Sequence, residues 1–476
     1  KQKTAYEIPK RDWSSDVCSS DLVGSLTIPA MIRLGYPKHF AAAVESTAST
    51  GGQITPPIMG AAAFLMVEFL NIPYQQIILA AIVPAFMHFF GVFWQVHFEA
   101  RKNGMKGLPA ADLPRVRAVL AEGWPTSIPL FVLLMVLFSG YTPYLAAFWG
   151  ITACLIIGLT GRNGGVALGM LAVLVAANFA GALEEGWATV ALLALGVAVV
   201  GAFLLRDPRA SVRLIDMGDA FVVGAKYAIA VGAAAATVGV IVGVVTLTGV
   251  GFKISNIVTT FAGTLAGWTL DTLPAWLFTA KALTLFYTLV MTGLVCILLG
   301  CGVPTTANYI IMVTVAAPAL VQLGVEPIVA HFFVFYYGVL ADITPPVALA
   351  AYAAASMAGA DPFRTGNTAF RLGLAKALVP FVFVYAPAML IVTKGFTWYS
   401  FLETTLTCAI GVILLAIALT GYMISRLPLW SRLALGLGGL LLMAPGLTTA
   451  LIGVLVAIPA LVQQAWASRT RAAAPG

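Results

Sequence analysis

Charge is what this sequence has least of. Only 9% of its 476 residues are Asp, Glu, Lys or Arg, against about 25% in soluble globular domains. With 60% hydrophobic residues, the shortage excludes a soluble fold and predicts an all-α polytopic membrane protein. Histidine is scarce too, with four residues. His39, His88, His97 and His331 show no HxxxH or related pair, so no metal site is read from them. Cys154, Cys296, Cys301 and Cys408 lie in or beside apolar runs without metal or redox spacing, which predicts free, buried thiols. No apolar segment carries paired carboxylates or a nucleophile with a neighbouring base, so an enzyme is not expected. The formal net charge is +7, but the basic residues sit between apolar runs, where they set membrane topology. That excludes nucleic acid as a partner and leaves the lipid bilayer.

What the sequence does have is apolar runs interrupted by proline pairs. Gly51-Gly52-Gln53-Ile54-Thr55-Pro56-Pro57 and Leu340-Ala341-Asp342-Ile343-Thr344-Pro345-Pro346 each sit inside a long apolar stretch. Proline removes a backbone donor and pushes the preceding residue toward an extended conformation, so each pair predicts a membrane helix broken into two halves. The expected halves are 40–50 and 58–70 in the first copy, 328–339 and 347–358 in the second. Thr55 and Thr344 are expected at or beside the N-cap of the following half. Between apolar arms, Gly300 to Asn308 reads as the polar tip of a re-entrant hairpin.

The remaining runs predict further helices at 74–98, 128–138, 144–159, 166–179, 188–205, 221–248, 370–393, 401–424, 433–443 and 447–465, with a short interfacial helix over 113–120. The run at 221–248 is longer than a span requires and is expected to tilt or kink. Gly239 and Gly243 stand there at GxxxG spacing, and chance accounts for the match as well as packing does. Lys226 and Lys281 read as snorkelling side chains before site contacts.

Residues 1–22 differ from everything that follows. They are polar, and the run from Asp12 to Leu22 resembles a translated sequencing adapter. This stretch is expected to be a foreign leader, excluded from the fold. The expected organisation is then a truncated first repeat at 23–98, a connecting loop with additional helices at 99–220, a second repeat at 221–393 and C-terminal membrane helices at 394–476.

The two breaks belong to an internal repeat. Thr55 and Thr344 are 289 residues apart (344 − 55), and the same offset pairs Pro29-Ala30 with Pro318-Ala319 and Leu34-Gly35 with Leu323-Gly324. Interrupted segments in corresponding positions of two halves are the sequence pointer to the substrate site of a secondary transporter. The offset places the partner of the hairpin tip inside the leader, so the first tip is expected to be missing.

At these residues the chain resembles a known family. Ile28-Pro29-Ala30 through Gly35-Tyr36-Pro37, the run Glu45 to Phe64 around Gln53-Ile54-Thr55-Pro56-Pro57, Gly302-Val303-Pro304-Thr305-Thr306-Ala307-Asn308-Tyr309, and Asp342-Ile343-Thr344-Pro345-Pro346 are similar to stretches of the large permease subunit of tripartite ATP-independent periplasmic (TRAP) transporters. The fused-permease branch that works with TAXI-type binding proteins is the nearest resemblance. It implies an elevator-type carrier with inverted repeats in the bacterial inner membrane, importing an organic anion with Na⁺ as coupling ion and no other cofactor. It also implies as partners an extracytoplasmic substrate-binding protein and a small permease subunit, or a missing fused N-terminal portion. The alternative is a channel-like or other ion-coupled carrier that needs no binding protein.

Backbone carbonyls freed by the breaks at Gly51, Gly52, Gln53, Gly338 and Ala341, with the Asp342 carboxylate, are the expected Na⁺ ligands. The hydroxyls of Thr50, Thr55 and Thr344 are expected to aid them, and Asp342 reads as a Na⁺ ligand or a proton carrier and equally well as a cap for the following half-helix. Thr55, Pro57, Thr305, Asn308, Thr344 and Pro346 are the expected substrate contacts. The positive ends of the half-helices would suit a carboxylate. Glu45, on a helix of small residues, reads as a helix-packing or interfacial group.

Overall fold

The computed structural model describes residues 15–105, 107, 113, 115–160, 169, 214–272, 279–303 and 305–472. Among these residues the regular structure is helical apart from one isolated bridge between Tyr422 and Arg426. Among the described residues six helices are long and apolar enough to cross a bilayer, and a bent pair adds a seventh. The expected all-α polytopic architecture is the one observed.

The first described helices, α1 (Ser15–Arg33), α2 (Lys38–Gly52), α3 (Ala61–Leu70) and α4 (Tyr74–Lys102), cover the stretch 23–98 expected as the truncated first repeat. Helix α1 begins at Ser15, inside the stretch read as a foreign leader; residues 1–14 lie outside the described residues. Next come α5 (Val116–Gly123), α6 (Ile128–Phe138) and α7 (Pro143–Thr160). The helices expected at 166–179 and 188–205 lie outside the described residues. After them come α8 (Leu214–Thr248) and α9 (Val250–Thr272), bent by 70° at Gly249, whose φ of +63° a side chain would strain. The kink expected within 221–248 is thus at its end. Gly239 and Gly243 have nothing within 4 Å of where a Cβ would stand, so that GxxxG match makes no described contact.

Within the stretch expected as the second repeat, 221–393, follow α10 (Ala280–Gly300), α11 (Thr305–Val315), α12 (Ala317–Gln322), α13 (Pro327–Ala341), α14 (Leu349–Ala358), α15 (Pro362–Leu372) and α16 (Leu374–Tyr385). The tip of the α10–α11 hairpin is shorter than expected: Thr305 to Asn308 form the first turn of α11 instead of extending the loop. Gly302, at φ +79°, lets the chain reverse within that short span. The run expected as one span at 370–393 is cut by Gly373 and by a 3-10 turn at Pro387–Leu390.

Three helices close the chain, α17 (Trp398–Thr420), α18 (Leu429–Met443) and α19 (Leu447–Ala472). Glycines let these backbones meet. A Cβ on Gly411 would stand 2.7 Å from the Gly439 carbonyl, and one on Gly438 would stand 2.7 Å from the Gly453 carbonyl. Small residues at helix crossings are how membrane helices associate, because apolar burial alone does not favour contact over lipid.

By contacts the chain divides into one unit of residues 1–107 with 233–476 and another of residues 108–232. In the first, α2 and α14 bury rows of alanine, Ala41, Ala42 and Ala43 on one and Ala350, Ala351, Ala354 and Ala355 on the other. Glu45 is buried there, accepts from the Thr27 and Ser49 hydroxyls, and ties α1 to α2, the packing role expected of it. In the second, α6 and α7 form a hairpin around Gly140, at φ +87°. Cys154 on α7 is exposed and Cys301 half-buried, so only Cys296 and Cys408 are the buried free thiols expected.

Candidate functional site

The two breaks agree down to individual hydrogen bonds. Helices α2 and α13 occupy matched residues at the offset of 289, Lys38–Gly52 against Pro327–Ala341, and their N-caps Pro37 and Glu326 share φ −58° and ψ 140°. The turns ahead of them match as well: Gly35 N–H donates to Ile32 O and Gly324 N–H to Val321 O, both at 3.0 Å, with φ of +102° and +90° at the two glycines. Inside the breaks, Ile54 N–H donates to Gly51 O and Ile343 N–H to Leu340 O, both at 3.2 Å. The pairs Pro56-Pro57 and Pro345-Pro346 are both cis.

The two threonines act in the opposite sense to the one expected. The half-helices α3 and α14 start at Ala61 and Leu349, with N-caps Gly60 and Ala348 that offer no side-chain cap. Thr55 Oγ1 instead donates back to Gly51 O, and Thr344 Oγ1 back to Leu340 O, each at 2.7 Å. These hydroxyls satisfy carbonyls left over at the C-terminal ends of α2 and α13, where four acceptors lack intrahelical partners. The proline pair delays the next helix by several residues, so the threonine, just past the end of the preceding half, reaches back to that half's last turn.

The breaks are also stitched across. Gln53 O accepts from Gly60 N–H at 2.8 Å and Asp342 O from Ala350 N–H at 3.1 Å. Tyr74 Oη donates to Pro57 O at 3.1 Å, and Tyr352 Oη to Pro346 O at 2.8 Å, from positions that the repeat does not pair. Each carbonyl has two lone pairs. Gly51 O and Leu340 O each accept from an amide and a hydroxyl, whereas Gly52 O and Ala341 O each accept from one threonine amide across the turn. The side chains at the next position differ: Gln53 and Asp342 are both buried, and neither amide atom of Gln53 has a hydrogen-bond partner among the described residues.

At the second break the hairpin helix joins in. Asn308 on α11 is buried, its Nδ2 donates to Gly338 O at 3.4 Å, and its Oδ1 has no hydrogen-bond partner among the described residues. A Cβ on Gly300 would stand 2.4 Å from Asn308 Nδ2 and 2.7 Å from Ala341 Cβ, so this glycine admits the amide to the break. Asn308, Gly338 and Ala341 are thereby brought together. Thr305 is buried at the first residue of α11, Thr344 is buried, Thr55 and Pro57 are half-buried, and Gly52 and Pro346 are exposed. Lys226 and Lys281 are exposed on their helices, as snorkelling side chains would be.

Two buried bases were missed by sequence reasoning. His88 on α4 and Lys376 on α16 are both fully buried. His88 Nε2 lies 3.2 Å from Thr47 O, and Lys376 Nζ donates to Thr50 Oγ1 at 2.9 Å. Both reach the last turns of α2, where Gly51 is needed because a Cβ would stand 2.6 Å from His88 Nε2. The repeat carries a signal for them. The second break is one residue shorter, 342–348 against 53–60, so the offset falls to 288 afterwards. That offset pairs Tyr74, the start of α4, with Pro362, the start of α15, and pairs His88 with Lys376 (376 − 88).

Comparison with known proteins agrees with this geometry. Residues 15–398 match the family described as "Tripartite ATP-independent periplasmic transporter, DctM component". Among curated proteins the chain is similar to the "Isethionate TRAP transporter permease protein DctMQ" of Oleidesulfovibrio alaskensis, with 23% identity over 373 residues, covering 77% of this chain and 47% of the relative. The chain therefore spans about half the length of the curated relative it matches. A family match over most of the chain, matched helix breaks in two repeats and six or more apolar spans lead to one conclusion: the chain belongs to the DctM component family of tripartite ATP-independent periplasmic transporters and is a multi-pass protein of the bacterial inner membrane.

Proposed function

We propose that the chain is the transport core of a secondary carrier that takes up an organic anion, driven by a Na⁺ gradient and supplied by an extracytoplasmic binding protein, with a small permease subunit completing the complex. The observation that carries this reading is the pair of breaks, matched bond for bond, that holds polar groups inside apolar helices at corresponding positions of two repeats. Hydrocarbon cannot satisfy such groups, so they are retained where a polar ligand or ion visits. In this reading Na⁺ sits at the second break, where the Asp342 carboxylate, the unpartnered Asn308 Oδ1 and the remaining lone pair of Ala341 O supply hard oxygen ligands. The anion meets the hydroxyls of Thr305 and Thr344 and the N-terminal end of a half-helix, which carries roughly half a positive charge. Thr55, Pro57 and Pro346 form the corresponding rim. The relative's name specifies isethionate, a sulfonate. Sulfonates and carboxylates carry the same charge, and both classes belong in the substrate panel.

The test is uptake by the chain reconstituted with its small subunit and binding protein. Substrate is expected to accumulate only with an inward Na⁺ gradient, with ATP having no effect. Saturation is expected, since a carrier saturates and a channel does not. Uptake without any binding protein, or driven by ATP, overturns the reading.

A further inference from the structure

Helix α15 buries one face and leaves a polar stripe on another. Thr365, Gly366, Ala369 and Leu372 are buried, and the Thr47 hydroxyl of α2 donates to Ala369 O at 3.2 Å. Arg364, Asn367, Thr368 and Arg371 stand at i, i+3, i+4 and i+7, positions that share one side of a helix. With Asp361 and Phe363 they line a cleft of about 400 Å³. Asp361 is engaged by the helix itself: as N-cap, its Oδ1 accepts from Arg364 N–H at 2.6 Å. Among the described residues neither guanidinium forms an ion pair, and Arg371 Nε, shielded from solvent, has no hydrogen-bond partner. A shielded donor is normally satisfied, and one on a charged group is the costliest to leave unmade.

The surroundings select an anion. Arg364 and Arg371 lie close enough for their charges to act on the His39 ring of α2, and Lys38 Nζ lies 3.9 Å from where a Cβ on Gly359 would stand, just ahead of α15. Glu99, the acid that acts on the same ring, is paired with Lys102 at 3.3 Å. Lys38, Lys102, Arg364 and Arg371 thus stand against two acids, Glu99 and Asp361. Helix α4 ends here at Arg101 and Lys102, while residues 61–78 around its start carry a single charge, Glu68. An excess of Lys and Arg marks the cytoplasmic side, where anionic lipids make the membrane surface negative. A guanidinium fork matches phosphate oxygens two at a time. Phe363, exposed at the rim of the same cleft, adds an apolar surface suited to an acyl chain and of no use to a soluble phosphate.

We infer that the α15 cleft binds the phosphate of an anionic phospholipid from the cytoplasmic leaflet, with Arg364 and Arg371 on its oxygens and Phe363 against its acyl chains. The site is independent of which ions or substrates the breaks hold. It is joined to both breaks through α15: Ala369 O accepts from α2, and a Cβ on Gly366 would stand 3.2 Å from Pro345 Cγ. A lipid held there fastens the helix that lies against both.

The experiment measures, by native mass spectrometry of the delipidated full chain in neutral detergent, the affinity for phosphatidylglycerol and for phosphatidylcholine. Phosphatidylglycerol is expected to bind more tightly, because choline neutralises the phosphate it is attached to. The pair Arg364→Gln with Arg371→Gln is expected to weaken phosphatidylglycerol about 10- to 150-fold and to abolish the preference. Arg364→Gln alone, at an exposed position, takes its place if the double variant does not fold, with a loss of about tenfold expected. Arg426→Gln, which removes an exposed charge elsewhere, is expected to change neither affinity. Equal affinity for the two lipids, an unchanged preference in the arginine variants, or a loss as large in Arg426→Gln overturns the inference. Displacement of phosphatidylglycerol by an equal concentration of glycerol 3-phosphate would assign the cleft to a soluble phosphate and overturn the lipid.

Discussion

The first and second breaks share a backbone and differ in what surrounds it. Both close with the same amide-to-carbonyl bonds and the same back-donating threonine. At the position that accepts the threonine hydroxyl, however, the first break has Gly51, pressed against His88, and the second has Leu340, fully buried. One position later stand Gly52 and Ala341, and then Gln53 and Asp342. Backbone hydrogen bonding is thus the conserved half of the design, while side-chain volume and charge are free to diverge between repeats. A break can be built once and equipped twice.

The largest effect expected from breaking this comparison is at Leu340. Truncation to Ala opens a cavity at the second break and is expected to cost about 2–5 kcal/mol, read as a lowered thermal midpoint of the purified chain. A midpoint unchanged from the unaltered chain would mean that the second break does not depend on its side-chain packing.

Charge comes next. Asp342→Asn keeps the shape and removes the carboxylate, and a charge-assisted contact contributes about 1.5–3 kcal/mol. Half-saturating Na⁺ for uptake is expected to rise about 10- to 150-fold. Gln53→Ala, at the matched position, is expected to change it far less. Equal losses at the two positions would make the breaks equivalent ion sites.

Volume at the first break is the third lever. Gly51→Ala places a methyl 2.6 Å from His88 Nε2 and 2.9 Å from Phe89 Cζ, and overpacking of that kind costs about 1–3 kcal/mol. Expression with a lowered thermal midpoint is the expected outcome. Relief of the loss in the pair Gly51→Ala with His88→Ala would locate the strain at that ring.

The smallest effects sharpen the likeness instead of breaking it. Thr55→Val and Thr344→Val each remove a hydroxyl from a carbonyl that keeps its amide donor, so about 0.5–1.5 kcal/mol is expected. Thr344, the more buried of the two, is expected to lose more, because water can replace the hydroxyl at Thr55. The comparison is between thermal midpoints of the two single variants.

Much of this is legible in the sequence. The Pro-Pro pairs announced the breaks, because proline cannot continue a helix, and the offset of 289 placed α2 and α13 in register, where the structure has them. Helices with periodic Gly and Pro punctuation, such as α6 and α7, came out within a few residues of the expected bounds. The direction of the threonine hydrogen bonds was not legible. A hydroxyl beside a helix break has orphan amides on one side and orphan carbonyls on the other, and the number of residues before the next helix starts decides which it meets. The length of the hairpin tip was hidden for a similar reason: Thr305 to Asn308 are polar, and in a buried hairpin polar residues are compatible with a loop or with a helix whose amide reaches a neighbour.

By itself, then, the sequence determined the solvent, the helical class, the two breaks and their register, since each follows from hydropathy and from what proline does to its own backbone. Only the tertiary structure decided which side chains meet there. Lys376 and Thr50 are 326 residues apart, as are no neighbours that local periodicity can relate, and His88 reaches Thr47 across 41. Such meetings depend on how α4 and α16 pack against α2, and packing is a property of surfaces brought together in three dimensions, on which the order of residues along one chain places no local mark.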